Sequence, residues 1–113
     1  MPVKWTKTFA KSYEDILKKY PKSKEEIEKF IDTIDVKFEM ADIYPGIVPE
    51  VRKLRIALRS YNIGKSAGVR LICAKFSKIY IPIFIYKKGQ FKKESDVINY
   101  VKNALRSLIV ELR

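Results

Sequence analysis

The feature that most constrains the fold of this 113-residue chain is a change in the spacing of its apolar residues near position 50. Beyond that position, apolar side chains follow the period-two spacing of β-strands in three segments. These segments are residues 51–58, 69–76 and 79–86. Short connections favour antiparallel neighbours, so the three are predicted to form a meander. Pro82 lies inside the third segment and cannot donate to a strand ladder, which predicts a bulge or a locally unpaired site there.

Before position 50 the spacing is helical. Two apolar stripes recur every three or four residues, as in amphipathic helices that pack against a core. The first is Phe9, Tyr13, Ile16, Leu17 and Tyr20, and the second is Ile27, Phe30, Ile31, Ile34 and Phe38. Pro21 ends the first helix, and the short connection predicts that the two helices pack antiparallel. A third stripe, from Val97 to Leu112, predicts a C-terminal helix.

Polar residues mark where these helices begin. The hydroxyl of Thr6 or Thr8 can accept an amide hydrogen of the first helical turn. Ser23 followed by Glu26 has the spacing of a capping box, which would open the second helix. The Ser-Asp pair at residues 95–96 is predicted to start the third helix.

Two further segments complete the predicted order. Val3, Trp5 and their neighbours alternate briefly like a strand, and residues 42–49 are predicted to be an irregular connector. The order is therefore β-α-α-β-β-β-α, an α+β fold in which an antiparallel meander is packed by a helical hairpin and a C-terminal helix. With 113 residues, 47% of them hydrophobic, the chain suits a single domain over residues 1–113.

Positive charge is concentrated on the meander. From Val51 to Lys93 the chain has twelve Lys or Arg residues and no Asp or Glu. The rest of the chain is nearly neutral, so this stretch accounts for the formal net charge of +11. Because the stretch contains no carboxylate that could pair with its cations, we expect them to be kept for a polyanion. Nucleic acid is the leading candidate.

Several kinds of site are excluded by residues that the sequence lacks. Without histidine and with Cys73 as its one cysteine, the chain offers neither a zinc site nor a hydrolytic triad, and Cys73 is predicted to be a core residue. Residues 64–66 (Gly-Lys-Ser) resemble the end of a phosphate-binding loop, but Arg59 stands where that loop needs glycine. No metal and no cofactor are expected. The apolar run 79–86 is too short to cross a bilayer and no signal segment opens the chain, so a cytoplasmic location without a membrane partner is expected.

The predicted strands carry cations that can converge at one end of the sheet. Lys53 and Arg55 project from one face of the first meander strand, opposite Leu54 and Ile56. Arg70 lies on the next strand, just after the glycine-bracketed loop. At the end of the last strand the chain places Tyr86, Lys87 and Lys88.

These stretches resemble the RelE/ParE superfamily of toxins from type II toxin–antitoxin modules, and within it the HigB-like branch. The resemblance rests on residues 53–55 (Lys-Leu-Arg), on 64–72 (Gly-Lys-Ser-Ala-Gly-Val-Arg-Leu-Ile) and on 83–88 (Ile-Phe-Ile-Tyr-Lys-Lys). It extends over nearly the whole chain, because the predicted order of elements is also the RelE-like order. It implies an mRNA endonuclease that acts in the ribosomal A site and is silenced by a cognate antitoxin.

The resemblance also implies roles for individual residues. In a metal-free mechanism, the 2′-hydroxyl of the RNA attacks the adjacent phosphate. Arg70 would grip that phosphate, and Lys53 and Arg55 would hold the RNA backbone or favour deprotonation of the 2′-hydroxyl. Lys88 would assist the leaving group. The residues expected to bind RNA are Lys65, Tyr86, Lys87 and Arg52, with Tyr86 acting as a stacking platform or proton donor.

The chain departs from the family pattern at one position. Some RelE-like toxins have a tyrosine shortly after the late cation, where this chain has Phe91, which cannot donate a proton. Tyr100 is predicted to face away from the apolar stripe of its helix, so the proton donor is unassigned. Two other functions stay open, a ParE-type toxin that poisons DNA gyrase and a non-catalytic module that binds RNA or DNA.

The expected partners are mRNA, the ribosome and an antitoxin. An exposed cationic surface that damages its host must be covered, and this chain has too little acid to cover itself. The antitoxin is therefore expected to place a helix or an extended segment, with Asp or Glu side chains, over Lys53, Arg55, Arg70 and Lys88.

Overall fold

The described part of the chain, residues 3 and 5–112, forms four helices and a four-stranded antiparallel sheet in a computed structural model. The helices are α1 (Lys7–Lys19), α2 (Lys24–Asp32), α3 (Ile34–Glu39) and α4 (Glu94–Leu112). The strands are β1 (Asp42–Ile43), β2 (Glu50–Ile56), β3 (Val69–Phe76) and β4 (Ile79–Lys87), and they lie side by side in chain order. The α+β class and the antiparallel meander are confirmed. No helix in the described residues is both long and apolar enough to cross a membrane.

Each face of the sheet carries an apolar cluster of its own. On one face, side chains such as Leu54, Leu71 and Ile85 pack with α1, α2 and α3. On the other, side chains such as Ile72 and Phe84 pack with α4. Strand alternation sends neighbouring residues to opposite faces, so both clusters are built from the same three strands.

The bulge predicted at Pro82 is confirmed. Cys73 pairs with Pro82, but the preceding residue Ile72 pairs with Phe84, so Ile83 is an extra residue in β4. An extra residue reverses the alternation at that point. As a result, Ile83 and Phe84 both belong to the apolar cluster on the α4 face.

Helix α1 begins as predicted and covers the outer edge of β4. The amide of Phe9 donates to Thr6 Oγ1 over 3.0 Å, so Thr6, not Thr8, is the cap. The Thr6 hydroxyl in turn donates to the carbonyl oxygen of Pro82 at 3.3 Å, and the Ile85 amide donates to Ser12 Oγ at 3.0 Å. These side chains satisfy backbone groups that an edge strand would otherwise present to a foreign strand.

The capping box predicted at Ser23 is wrong. Ser23 lies in a short 3₁₀ turn, and its hydroxyl donates to the carbonyl of Tyr20 at 2.6 Å. The Glu26 carboxylate accepts instead from the amide of Arg59 at 2.7 Å and from Ser60. A long-range tether to the turn after β2 has therefore replaced the local cap.

The predicted second helix is split in two at Thr33. The backbone there leaves the helical region, with φ −110° and ψ 23°, and the Thr33 hydroxyl donates to the carbonyl of Phe30 at 3.0 Å. A β-branched residue with a hydroxyl that bonds locally competes with helix continuation. The apolar stripe nevertheless packs into one core, because Ile34 and Phe38 of α3 are buried in the same cluster as Ile31.

Three other boundaries differ from the prediction. The predicted irregular connector contains strand β1, in which Asp42 pairs with Lys53 and Ile43 with Arg52. The strand around Val3 and Trp5 is reduced, within the described residues, to one parallel bridge between Val3 and Tyr80. Helix α4 begins one residue early, at Glu94. Val97, Val101, Leu105 and Leu108 of its stripe are buried as predicted, whereas the side chains of residues 109 and 112 lie outside the described part.

Cys73 should be unreactive in the folded protein. It is fully buried, and burial raises the pKa of its thiol from 9.0 to about 12, which leaves roughly 10³-fold less reactive thiolate at pH 8. We expect the native protein to react with Ellman's reagent about a hundredfold more slowly than the protein in guanidinium chloride. Fast stoichiometric labelling in native buffer would show that Cys73 is not a core residue.

Candidate functional site

Three residues of the predicted site form one row across the sheet. Arg55 on β2 pairs with Arg70 on β3, and Arg70 pairs with Tyr86 on β4. Lys53 lies two residues before Arg55 and therefore projects from the same face, the one that carries α4. The strand pairing thus brings together Lys53, Arg55, Arg70 and Tyr86, which the sequence placed on three separate strands.

The first residue of α4 closes one side of this row. Lys53 Nζ lies 3.0 Å from Glu94 Oε1, and the Tyr44 hydroxyl donates to the same oxygen at 2.8 Å. Both bonds end on Oε1, so Glu94 Oε2 has no hydrogen-bond partner among the described residues. Burial and the bond to Glu94 raise the pKa of Tyr44 far above its ordinary value, so Tyr44 is a fixed donor. Glu94 and Tyr44 had not been predicted as site residues.

Arg55 and Arg52 have different surroundings. The Arg55 guanidinium, half exposed, lies 2.8 Å from the Asp42 carboxylate on β1. Arg52 belongs to the opposite face, where its Nε is 2.7 Å from Glu50 Oε2 and its NH1 donates to three carbonyls at the end of α3. The structure therefore does not bring Arg52 to the row.

The expectation that the basic stretch lacks acidic partners is wrong. Four of its twelve cations pair with carboxylates: Arg52 with Glu50, Lys53 with Glu94, Arg55 with Asp42 and Lys75 with Glu39. All four acids lie just outside residues 51–93 in the sequence and reach the strands through the fold. The cations of the stretch without an ion pair in the described chain are Arg59, Lys65, Arg70, Lys78, Lys87, Lys88, Lys92 and Lys93.

Arg70 is buried and holds the loop before its own strand. Its side chain is only 7% exposed, and NH1 donates to the carbonyls of Lys65 at 3.1 Å and Gly68 at 3.3 Å. NH2 donates to the carbonyl of Ser66 at 3.0 Å. Burial lowers the pKa of Arg70, and the neighbouring charge of Arg55 lowers it further. Because a guanidinium has five N–H donors, two remain for a ligand.

The loop held by Arg70 is also tied to the end of β4. The Lys87 ammonium donates to the carbonyl of Ala67, and the Lys88 amide donates to the carbonyl of Gly68 at 3.1 Å. The side chains of Lys65 and Lys88 are exposed and make no ion pair or hydrogen bond within the described chain. Lys65, a predicted RNA contact, is thus a solvent-facing cation on the loop, and Lys88, predicted to assist the leaving group, is one at the end of β4.

Tyr86 supplies the row with a hydroxyl group that makes no hydrogen bond to the described residues. The side chain is 5% exposed, and its ring packs against Phe84 and Phe91, with centroids 5.7 and 5.0 Å apart. Burial, followed by the charge of Glu94, raises the pKa of Tyr86 to about 12, so the phenol keeps its proton at neutral pH. Its hydroxyl has no hydrogen-bond partner in the described residues, yet it is not sealed from solvent. Tyr86 can therefore donate to a ligand.

The sequence contained one signal for the missed partners. Glu94 is the first acid after a stretch of 43 residues without one, from Val51 to Lys93, and it starts a helix that must fold back onto that stretch. No group of three or more His, Cys, Asp or Glu residues in the described chain could hold a metal ion.

Comparison with known proteins adds no assignment. No family model, no curated protein and no solved structure matches this chain.

Proposed function

We propose that this protein is a RelE-like toxin of a type II toxin–antitoxin module and that it cleaves mRNA on the ribosome. The observation that carries the proposal is the row of Arg55, Arg70 and Tyr86 beside Lys53. It combines cations for a phosphate with a protonated phenol that has no hydrogen-bond partner among the described residues. The resemblance of residues 53–55, 64–72 and 83–88 to RelE-like toxins, which includes these same side chains, also supports it.

In the proposed reaction, the 2′-hydroxyl oxygen bonds to the adjacent phosphorus and the bond from phosphorus to the 5′ oxygen breaks. The products are a 2′,3′-cyclic phosphate and a 5′-hydroxyl. Lys53 and Arg55 hold the RNA backbone, and the two free N–H groups of Arg70 bind the scissile phosphate, where negative charge builds. Lys65, Lys87 and Lys88 attract the flanking phosphates, and Lys88 supports the leaving group.

Two protons must move in this reaction; Glu94, at the side of the row, can take one, and Tyr86, in the row, can give the other. Glu94 Oε2, the oxygen without a partner, accepts the proton of the 2′-hydroxyl. Tyr86 gives its proton to the departing 5′ oxygen, a role for which its elevated pKa keeps the proton in place. Glu94 also forms an ion pair with Lys53 in the free protein. Before RNA binds, this pair neutralises part of the positive charge beside the row.

The proposed silencing partner is a small acidic antitoxin. Eight cations of the basic stretch have no ion pair in the described chain, and a partner with Asp and Glu side chains would complement them. Arg55, Lys65 and Lys88 are exposed enough for such a segment to reach.

Induced expression in a bacterium tests the proposal. We expect growth arrest through loss of translation, message cleavage that requires ribosomes, and recovery on co-expression of a small acidic protein encoded beside the gene. Lys53→Ala/Arg55→Ala should abolish arrest. The matched control Arg59→Ala/Lys78→Ala removes the same charge from the same stretch, at positions outside the three strands that carry the row, and should still arrest growth.

Three other outcomes would overturn parts of the proposal. Arrest with intact messages and blocked supercoiling would favour a gyrase-directed toxin. No growth effect would favour a non-catalytic binding module. Equal loss of arrest in both double variants, with unchanged thermal stability, would show that total charge and not the row is responsible.

A further inference from the structure

A groove beside the row runs over the edge of β4, and of the predicted site residues only Lys87 and Lys88 line it. It lies between α1, the end of β4 with the segment that follows, and Tyr100 of α4, and it has a volume of about 890 Å³. Five lysines line it and only one carboxylate, that of Asp15. The lysines are Lys7, Lys11 and Lys19 of α1, with Lys87 and Lys88 at the end of β4.

One wall of the groove is a line of charge along α1. Lys7, Lys11, Asp15 and Lys19 are spaced four residues apart, so they follow one face of the helix at intervals of about 6 Å. Lys11 and Lys19 are exposed and have no ion pair or hydrogen bond in the described chain. On the opposite wall, Lys88 is exposed as well, so cations face the groove from both sides.

The other wall also presents aromatic rings. Phe84, Phe91 and Tyr100 contact one another, with centroids 4.5 Å apart for Phe84 and Tyr100 and 5.7 Å apart for Phe91 and Tyr100. Tyr100 stays 43% exposed although its ring makes edge-to-face contacts with both phenylalanines. The prediction that Tyr100 faces away from its own apolar stripe is consistent with this exposure, but the ring belongs to the groove rather than to open surface.

We propose that this groove binds single-stranded nucleic acid, with phosphates along Lys11, Lys19 and Lys88 and a base stacked on Tyr100. Lysines that track a backbone beside exposed aromatic rings are the pattern of sites for single strands, whose bases are free to stack. A duplex keeps its bases inside and cannot use Tyr100 in this way. An acidic peptide would use the lysines and leave the ring without a planar partner.

The groove meets the row of the proposed active site. Phe91 contacts both Tyr100 in the groove and Tyr86 in the row, and Lys87 and Lys88 border both. A single nucleic-acid strand could therefore lie in the groove and continue to Tyr86 in the row. The inference goes beyond the proposed function, since binding in the groove does not require the protein to cut RNA.

Fluorescence anisotropy with labelled twelve-nucleotide oligomers tests the groove. We expect oligouridine and oligothymidine to bind the purified protein and the corresponding duplex to bind at least tenfold more weakly. Lys11→Ala/Lys19→Ala should weaken binding and flatten the salt dependence by about 1.4 log units per decade, since each lost single-strand phosphate contact removes about 0.7. The matched pair Lys22→Ala/Lys78→Ala, exposed lysines away from the groove, should leave the slope within about 0.3 of the original.

Variants of Tyr100 test the stacking. Tyr100→Ala should weaken single-strand binding about tenfold, whereas Tyr100→Phe, which keeps the ring, should bind like the original protein. Oligothymidine has no 2′-hydroxyl and cannot be cleaved, so its binding is independent of the proposed nuclease activity. Equal effects of the two lysine pairs, equal binding of duplex and single strand, or tighter binding of polyglutamate than of either oligomer would each overturn the proposal.

Discussion

Gly68→Ala should destabilise the protein by about 3 kcal/mol, because a methyl group at this position overlaps backbone that cannot move freely. A Cβ on Gly68 would overlap the carbonyl oxygen of Ile56 and lie 3.0 Å from its carbonyl carbon. Ile56 pairs with Val69 at the start of β3, so the two strands would have to separate there. The shift would also disturb the Gly68 carbonyl, which accepts from Arg70 NH1 and from the Lys88 amide.

Gly64→Ala is the matched control for this substitution. Both glycines flank the same loop, but a Cβ on Gly64 meets nothing within 4 Å. Its effect on the free energy of unfolding should stay within about 0.5 kcal/mol. Urea denaturation, monitored by circular dichroism, measures the free energy of unfolding of both variants. If the two variants lose the same stability, the close approach of Gly68 to Ile56 is not what holds the loop.

The faces on which the cations of the row lie could be predicted from the sequence, because strand periodicity carries that information. Alternation alone separates Lys53 and Arg55 from Leu54 and Ile56. The short Ser77-Lys78 turn fixes the register of β3 and β4 as far as the Cys73–Pro82 pair, and the extra residue Ile83 then shifts the pairing by one, which brings Tyr86 beside Arg70. The bulge at Pro82 was predictable for the same reason, since proline removes one donor from the ladder.

The partners of these cations could not be predicted in the same way. A count along the sequence says only that residues 51–93 lack acids, whereas Glu94 and Asp42 reach Lys53 and Arg55 through the packing of α4 and β1. The bonds of Arg70 end on backbone carbonyls, which every residue possesses and no sequence pattern reveals. A cation that is unpaired in the sequence can therefore be fully engaged in the fold.

The groove could be predicted from the sequence only in part. The spacing of Lys7, Lys11 and Lys19 by four and eight residues, which places them on one helix face, can be read from the sequence once α1 is predicted, but the opposite wall of the groove cannot. That wall depends on how α1 crosses the edge of β4, a position fixed by Thr6 and Ser12 through single hydrogen bonds to the strand. Each of these hydrogen bonds involves a single side chain, so it produces no repeating pattern in the sequence.

Tyr86→Phe should lower the rate of RNA cleavage by about 10²- to 10⁴-fold, the usual contribution of a positioned general acid. The substitution keeps the ring and its packing against Phe84 and Phe91 and removes only the hydroxyl. RNA binding and thermal stability should therefore hardly change. Tyr80→Phe removes a hydroxyl from the same strand on the opposite face and should leave the rate unaffected.

The pH dependence and the leaving group separate proton donation from packing. An acid with its pKa raised to about 12 stays protonated as the pH rises, so Tyr86 should cause no loss of rate between pH 6 and about pH 10. A substrate with sulfur in place of the 5′ bridging oxygen needs no proton for the leaving group to depart. On that substrate Tyr86→Phe should cleave at nearly the original rate. If the variant is equally slow on both substrates, the Tyr86 hydroxyl does not protonate the leaving oxygen, and its effect on the reaction comes from positioning the phosphate beside Arg70.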